Sequence, residues 1–260
     1  MFSKLFGKKS SSQSRKFFPE NRLEALLMQA ATDPGVRPEF YKELLITDLF
    51  VLIVPGDRPH GTYVAQEGET LSIKGIDVEG RKLIPVFTSE RRLREYIQAQ
   101  DHLAKLNGRT LLPMIAARKN GIVLNPASSY GKEFTAQEVD SLVSGSIFEP
   151  RQRIITQETK VLISMPKEYP TKVVEALTRY FQERPEVKKA YVAQIHVPDS
   201  GEPPHLLLSV QVDGDFGPIA SDLGVILNST FETGQFADLV QFGQGSLDDF
   251  FKTQEPFFKR

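Results

Sequence analysis

Two residue types are missing altogether from the 260-residue sequence, cysteine and tryptophan. The first absence removes disulfides, thiolate nucleophiles and cysteine-built zinc sites together. It also suits a reducing compartment, so the cytoplasm is the expected location. An excess of one charge is missing too. The formal net charge is −1, which gives no overall pull toward nucleic acid or a membrane. The longest apolar run, Leu49 to Pro55, has the length of a strand and falls far short of the ~20 residues that cross a bilayer. The basic start is not followed by the continuous apolar stretch of a secretory signal.

Catalytic signatures are missing as well. His60, His102, His196 and His205 form neither an HExxH motif nor a close HxH pair. No GxSxG elbow places a serine nucleophile, and no GxxxxGK[ST] loop cradles a phosphate. Gly243-Gln244-Gly245 lacks the third glycine and the long helix of a dinucleotide fingerprint. The sequence therefore predicts no catalytic residue, no metal and no cofactor. Asp213-Gly214-Asp215 could offer two carboxylates to Mg²⁺ or Ca²⁺, but the remaining ligands of a calcium loop are absent. A turn at the end of a strand, with Asp215 leading into a helix, is the simpler reading. Asp248-Asp249 reads in the same way as helix-start charge.

What is present is an ordinary globular composition, 40% hydrophobic and 25% charged. The length exceeds the commonest domain size of about 100–150 residues, so two domains are expected. Both are α+β, each a small mixed or antiparallel sheet covered by helices, because helices alternate with adjacent paired strands. The expected division is a basic tail over 1–19, a first domain over 20–148, a second over 149–252 and an aromatic tail over 253–260. Lys4, Lys8, Lys9, Arg15 and Lys16 surround Ser10, Ser11, Ser12 and Ser14, the composition of a disordered tail. A weak membrane-surface contact through Phe2, Leu5 and Phe6 is the alternative.

Asn21 and Glu24 have capping-box spacing before an apolar helical stripe of Leu23, Leu26, Leu27 and Ala30. A second helix starts near Arg37-Pro38. Strands are expected over 49–54, 62–64, 70–73, 83–87 and 121–125, and Pro85 assigns the fourth to an edge or a bulge. Thr88 or Ser89 caps a helix, residues 110–117 form another, and Thr135 with Glu138 opens a third. Arg91, Arg92, Arg94 and Lys105 make a basic stretch diluted by Glu90, Glu95 and Asp101. A solvated helix face is expected there, not a nucleic-acid site. The second domain reads strand 161–163, helix 171–181, strands 190–195 and 206–212, helix 219–227 and strand 238–240, with a long hairpin loop near Asp199-Ser200-Gly201.

These stretches also carry a resemblance. In the first half they are Leu23-Glu24-Ala25-Leu26-Leu27, Arg37-Pro38-Glu39-Phe40-Tyr41, Ile84-Pro85-Val86-Phe87-Thr88-Ser89 and Leu124-Asn125-Pro126 with Ser128 and Gly131. In the second they are Tyr169-Pro170, Arg184-Pro185-Glu186-Val187, Ala190-Tyr191, His205-Leu206-Leu207-Leu208 and Asp213-Gly214-Asp215. The pattern resembles the bacterial SseB family, named for enhanced serine sensitivity, over residues 20 to 250. The resemblance implies an SseB N-terminal domain followed by a C-terminal one. It implies that the level of such a protein affects tolerance to serine, and it implies no reaction on serine and no catalytic residues.

Three function classes follow. A non-enzymatic protein-interaction or regulatory protein leads, with Phe257 and Phe258 in an aromatic end that docks on a domain or a partner. Related domains also resemble immunity modules that neutralise toxins, which agrees with a protein partner. An amino-acid sensor is second, with Thr88, Ser89, Asn125 and Ser128 at strand ends holding a carboxylate. The plainer role of the same residues is to cap a helix and shape a turn. An enzyme with an unrecognised site is third.

Overall fold

The computed structural model of the chain describes residues 17–54, 62–64, 72–97, 102–149, 161–198, 201–232, 234–245 and 247–260. Residues 1–16 of the expected 1–19 tail and the hairpin positions Asp199 and Ser200 lie outside them. The chain divides into two compact units, Met1–Thr32 with Glu39–Ile147 and Asp33–Pro38 with Phe148–Arg260. Both are α+β with mixed sheets.

In the first unit, helix α1 (Arg22–Ala30) starts at Asn21, whose side chain accepts from the Glu24 N–H. Leu23, Leu26, Leu27 and Ala30 form its buried stripe, and Phe40, Tyr41 and Leu44 are buried on α2 (Arg37–Ile46). Seven strands follow: β1 (Asp48–Ile53), β2 (Thr62–Val64), β3 (Ile76–Val78), β4 (Arg81–Phe87), β5 (His102–Asn107), β6 (Gly121–Leu124) and β7 (Lys132–Phe134). Their order is β2-β5-β1-β4-β6-β7, with β3 also paired to β4. The pairs β2–β5 and β4–β6 are parallel and the rest antiparallel. Helices α3 (Glu90–Arg94) and α4 (Gly108–Ala116) connect β4 to β5 and β5 to β6, and α5 (Ala136–Ser144) follows β7. Gly108 has to be glycine, because a Cβ there would sit 2.2 Å from the Leu44 carbonyl oxygen. Helix α5 carries the full reciprocal Thr135–Glu138 capping box and ends on left-handed Gly145.

Two expectations about this unit are corrected. Strand β4 is not an edge: it lies between β1 and β6, with Pro85 buried. The missing N–H is tolerated because of where it would point. The Val86 carbonyl accepts from Asn125 N–H, so Val86 faces β6 and Pro85 faces the other way. On that side the β3 pairing ends at Leu83 and the β1 pairing begins at Val86. The Leu52 carbonyl, which the register would set opposite Pro85, accepts from Lys74 N–H instead. The second correction concerns the basic stretch. Lys105 lies on strand β5, and Arg92 is buried with 4% of its surface exposed.

In the second unit, β8 (Leu162–Ser164), β9 (Val187–His196), β10 (His205–Val212), β11 (Ala237–Gln241) and β12 (Phe258–Lys259) form a five-stranded sheet. Its order is β11-β10-β9-β12, and β8 pairs with β9 as well. Only the β10–β11 pair is parallel. One face, with Ala190, Val192, Leu208 and Val210, packs on α6 (Thr171–Gln182) and α7 (Phe216–Thr230). The other, with Tyr191, Ala193, Ile195 and Leu207, packs on Phe251 from α8 (Asp248–Lys252). Successive residues of a strand point to opposite faces, so a sheet buried on both faces reads as the unbroken apolar runs seen in β9 and β10.

Candidate functional site

Thr88, Ser89 and Asn125 come together in the first unit, as the sensor expectation requires, but around a buried ion pair. Glu24 sits on α1, fully buried, and Arg92 on α3 donates to it through Nη2 at 3.0 Å and through Nε at 3.3 Å. The hydroxyls of Thr88 and Ser89 donate to the same carboxylate at 2.7 and 2.9 Å, and Glu20 N–H donates at 3.0 Å. Burial pushes the Glu24 carboxyl up, but the hydrogen bonds from Arg92, Thr88, Glu20 and Ser89 outweigh it and hold the group below its ordinary range.

The rest of the network is equally closed. Asn125 accepts from Thr88 N–H at 3.0 Å and donates to the Thr88 hydroxyl at 2.8 Å. Its φ of +49° lies in the left-handed region, which asparagine tolerates better than most residues. Asn21 donates to the Thr88 carbonyl at 2.8 Å. Arg92 also reaches Glu95 and the Phe18 carbonyl, and the Phe17 ring lies 3.9 Å from its guanidinium carbon. Ser128 is half-buried, and its hydroxyl accepts from Tyr130 N–H at 3.4 Å. An open depression of about 550 Å³ adjoins Thr88 and Ser89. The groups expected to hold an amino-acid carboxylate are thus engaged with one another, and the cluster works as a brace joining α1, β4, α3 and the end of β6.

The larger concavity, about 740 Å³, lies in the second unit. It runs along the start of α6 and residues 230–232 and 234–236, and its walls include Pro166, Tyr169, Pro170, Phe231 and Phe236. At its edge the His205 ring lies 4.2 Å from that of Phe236. Nδ1 of His205 faces the Pro203 carbonyl at 3.1 Å and Nε2 faces Asp238 at 3.0 Å. A His–Asp pair suggests acid–base chemistry, but both ring nitrogens already have oxygen partners, so neither is positioned to exchange a proton with a bound molecule. No group of acidic, histidine or cysteine side chains that could hold a metal ion occurs among the described residues.

Comparison with known proteins agrees with this two-unit layout. The family model for the SseB protein N-terminal domain matches residues 23–141, and that for the SseB protein C-terminal domain matches residues 155–260. The chain belongs to the SseB family. Protein SseB of Escherichia coli strain K12 is 29% identical over 247 residues, covering 93% of each chain, and Protein SseB of Shigella flexneri matches to the same extent. No solved structure matches at a significant level.

The SseB C-terminal match runs to the last residue, and so does the fold. Phe257 stacks on Phe181 and Phe258 tilts against it, with ring centroids 6.2 and 5.3 Å away, and β12 pairs with β9. The segment set apart as a tail is an edge strand of its own unit. Asp215 caps α7 by accepting from Gly217 N–H, and Asp213 pairs with Lys188, so Asp213-Gly214-Asp215 shapes a turn. The sequence reading missed the buried partnership of Glu24 and Arg92, and it missed the second-unit groove. The available signals were slight: Glu24 stood out as a capping residue within an SseB-like stretch, Tyr169-Pro170 as part of the SseB resemblance, and His205 as part of that resemblance and one of four scattered histidines.

Proposed function

We propose that this SseB-family chain acts in the cytoplasm by binding another protein chain, not by catalysis and not by holding a small ligand at Thr88, Ser89, Asn125 and Ser128. One observation carries the reading. Leu162, Met165 and Tyr169 are 61%, 48% and 53% exposed; they fall within one short stretch of sequence, and Tyr169 at its end lines the 740 Å³ groove. Single exposed apolar side chains are ordinary on a protein surface, whereas several in one stretch that reaches an apolar concavity mark an interaction site. The two polar clusters support the same reading, because their donors and acceptors are occupied internally.

Native isolation of the full-length chain from its own host, followed by mass spectrometry, tests the proposal. A stoichiometric polypeptide should accompany the wild-type chain and be lost from Tyr169→Glu, since truncating or charging a central aromatic anchor removes much of the affinity of an interface. Recovery of a chain with no polypeptide partner, of its own or another kind, would refute it.

A further inference from the structure

Resting on that reading, we propose that the occupant of the second-unit groove is a second copy of this chain, related by a two-fold axis. A two-fold interface uses the same patch on both copies, so that patch must carry a projection and a recess, and charges of both signs. This one does. Tyr169, 53% exposed, projects at the lip, and the recess of about 740 Å³ adjoins it. Lys167, Glu168, Lys172 and Glu232 all line it, and none of them forms an ion pair among the described residues. The rim is therefore balanced, two cations against two anions. A uniformly acidic or basic partner would meet like charge on part of it. A copy of the same rim brings two anions to its two cations, and in the proposed dimer Lys172 of each copy pairs with Glu232 of the other.

The surroundings favour a rigid, preformed surface. His205 lies between the Pro203 carbonyl and Asp238 at the groove edge, and proline rings form part of the wall. Little ordering is then needed on association, which leaves more of the contact energy as affinity. Leu162 and Met165, 61% and 48% exposed, lie in the segment that leads to Pro166 of the wall.

Sedimentation equilibrium of the full chain over a wide concentration range tests this. The expected result is a monomer–dimer equilibrium. Tyr169→Glu should raise its dissociation constant by about tenfold or more. Lys172→Glu should weaken it through like-charge repulsion, and Lys172→Glu combined with Glu232→Lys should recover most of the loss. Circular dichroism and melting temperature check that each variant is folded, and Tyr169→Ala serves as a milder second variant. A monomer at every concentration overturns self-association, as does a dimer indifferent to all four variants. Native isolation then separates the two readings. A monomer that holds a different polypeptide through Tyr169 leaves the interaction reading standing and removes only self-pairing, and a monomer that holds none removes both.

Discussion

At the scale of single residues, the chain is organised around charges that are buried and paired. Glu24 and Arg92 are 0% and 4% exposed. Removing one member of such a pair leaves the other uncompensated in a poor solvent, at a cost of about 3–5 kcal/mol. Glu24→Gln keeps the shape and some hydrogen bonding, so it should destabilise the first unit by about 3 kcal/mol, read as a lowered midpoint in urea at neutral pH. The pH dependence has a definite sign. The folded carboxyl titrates below its ordinary value of 4.5, so its contribution is fully present above that value and is lost as the pH falls through the lower folded one. The variant and the wild type should therefore converge in stability on acidification. A constant gap between them into strongly acid solution would show that the carboxylate charge is not what stabilises the brace. The sequence exposes half of this arrangement. Ser89 is visible as an N-cap, and that role holds; Glu24 is visible as the capping-box partner of Asn21, but its carboxylate accepts from Glu20 N–H and turns to Arg92 instead. That Arg92 turns inward is not legible, because arginine between Arg91 and Arg94 follows the pattern of a solvated face, and its partner lies 68 positions away.

Elements that depend on local signals were read from the sequence, and elements that depend on distant partners were not. The Asn21 cap, the Thr135–Glu138 box and the Asp215 turn are local, and each is made as expected. Strands β3, β5, β7 and β12 went unread, since β3, β7 and β12 are only 3, 3 and 2 residues long. Strand β5 is longer, but Lys105 and Asn107 within it carry the polarity of a surface segment. Pro85 was misplaced for a related reason: what excuses its missing N–H is Lys74, taking the Leu52 carbonyl from another segment. Strand β12 exerts its effect through its neighbours. Arg260 Nη2 donates to the carbonyls of Phe181 and Gln182 at 2.8 and 2.9 Å, at the C-terminal end of α6. A cation there satisfies carbonyls that lack a helical partner and complements the helix dipole. Arg260→Ala should cost about 1 kcal/mol and Phe258→Ala about 2 kcal/mol, the ring being only half-buried. Amide hydrogen exchange should show the lost protection at Phe257 and Arg260, whose N–H groups bond to Ala190 and Lys188. Unchanged exchange at those two positions would mean that the strand holds without its side chains.

For the whole molecule, family and class were legible while the site was not. Motifs dispersed through both halves suffice to identify an SseB chain, because such a pattern reflects many packing positions at once. A docking groove leaves no such pattern, since Tyr169, Glu232 and Phe236 meet only through the fold. The same reasoning separates the two cores. Leu93 is fully buried in a cluster with Leu52, Phe87 and Leu103 of the first unit, and Leu223 is fully buried with Phe181, Leu208 and Ile226 of the second. Leu→Ala at such sites costs about 2–5 kcal/mol, partly through the cavity left behind. Residues in separate clusters, with no shared partners, should act additively. Calorimetry should then show Leu93→Ala lowering one unfolding transition and Leu223→Ala another, each by about 10 °C, with the double variant carrying both shifts in full. If either substitution alone moved all of the heat absorption to lower temperature, the two cores would be unfolding as one, and stability changes at Glu24 and at Arg260 would have to be assigned to the chain as a whole and not to the unit that contains each residue.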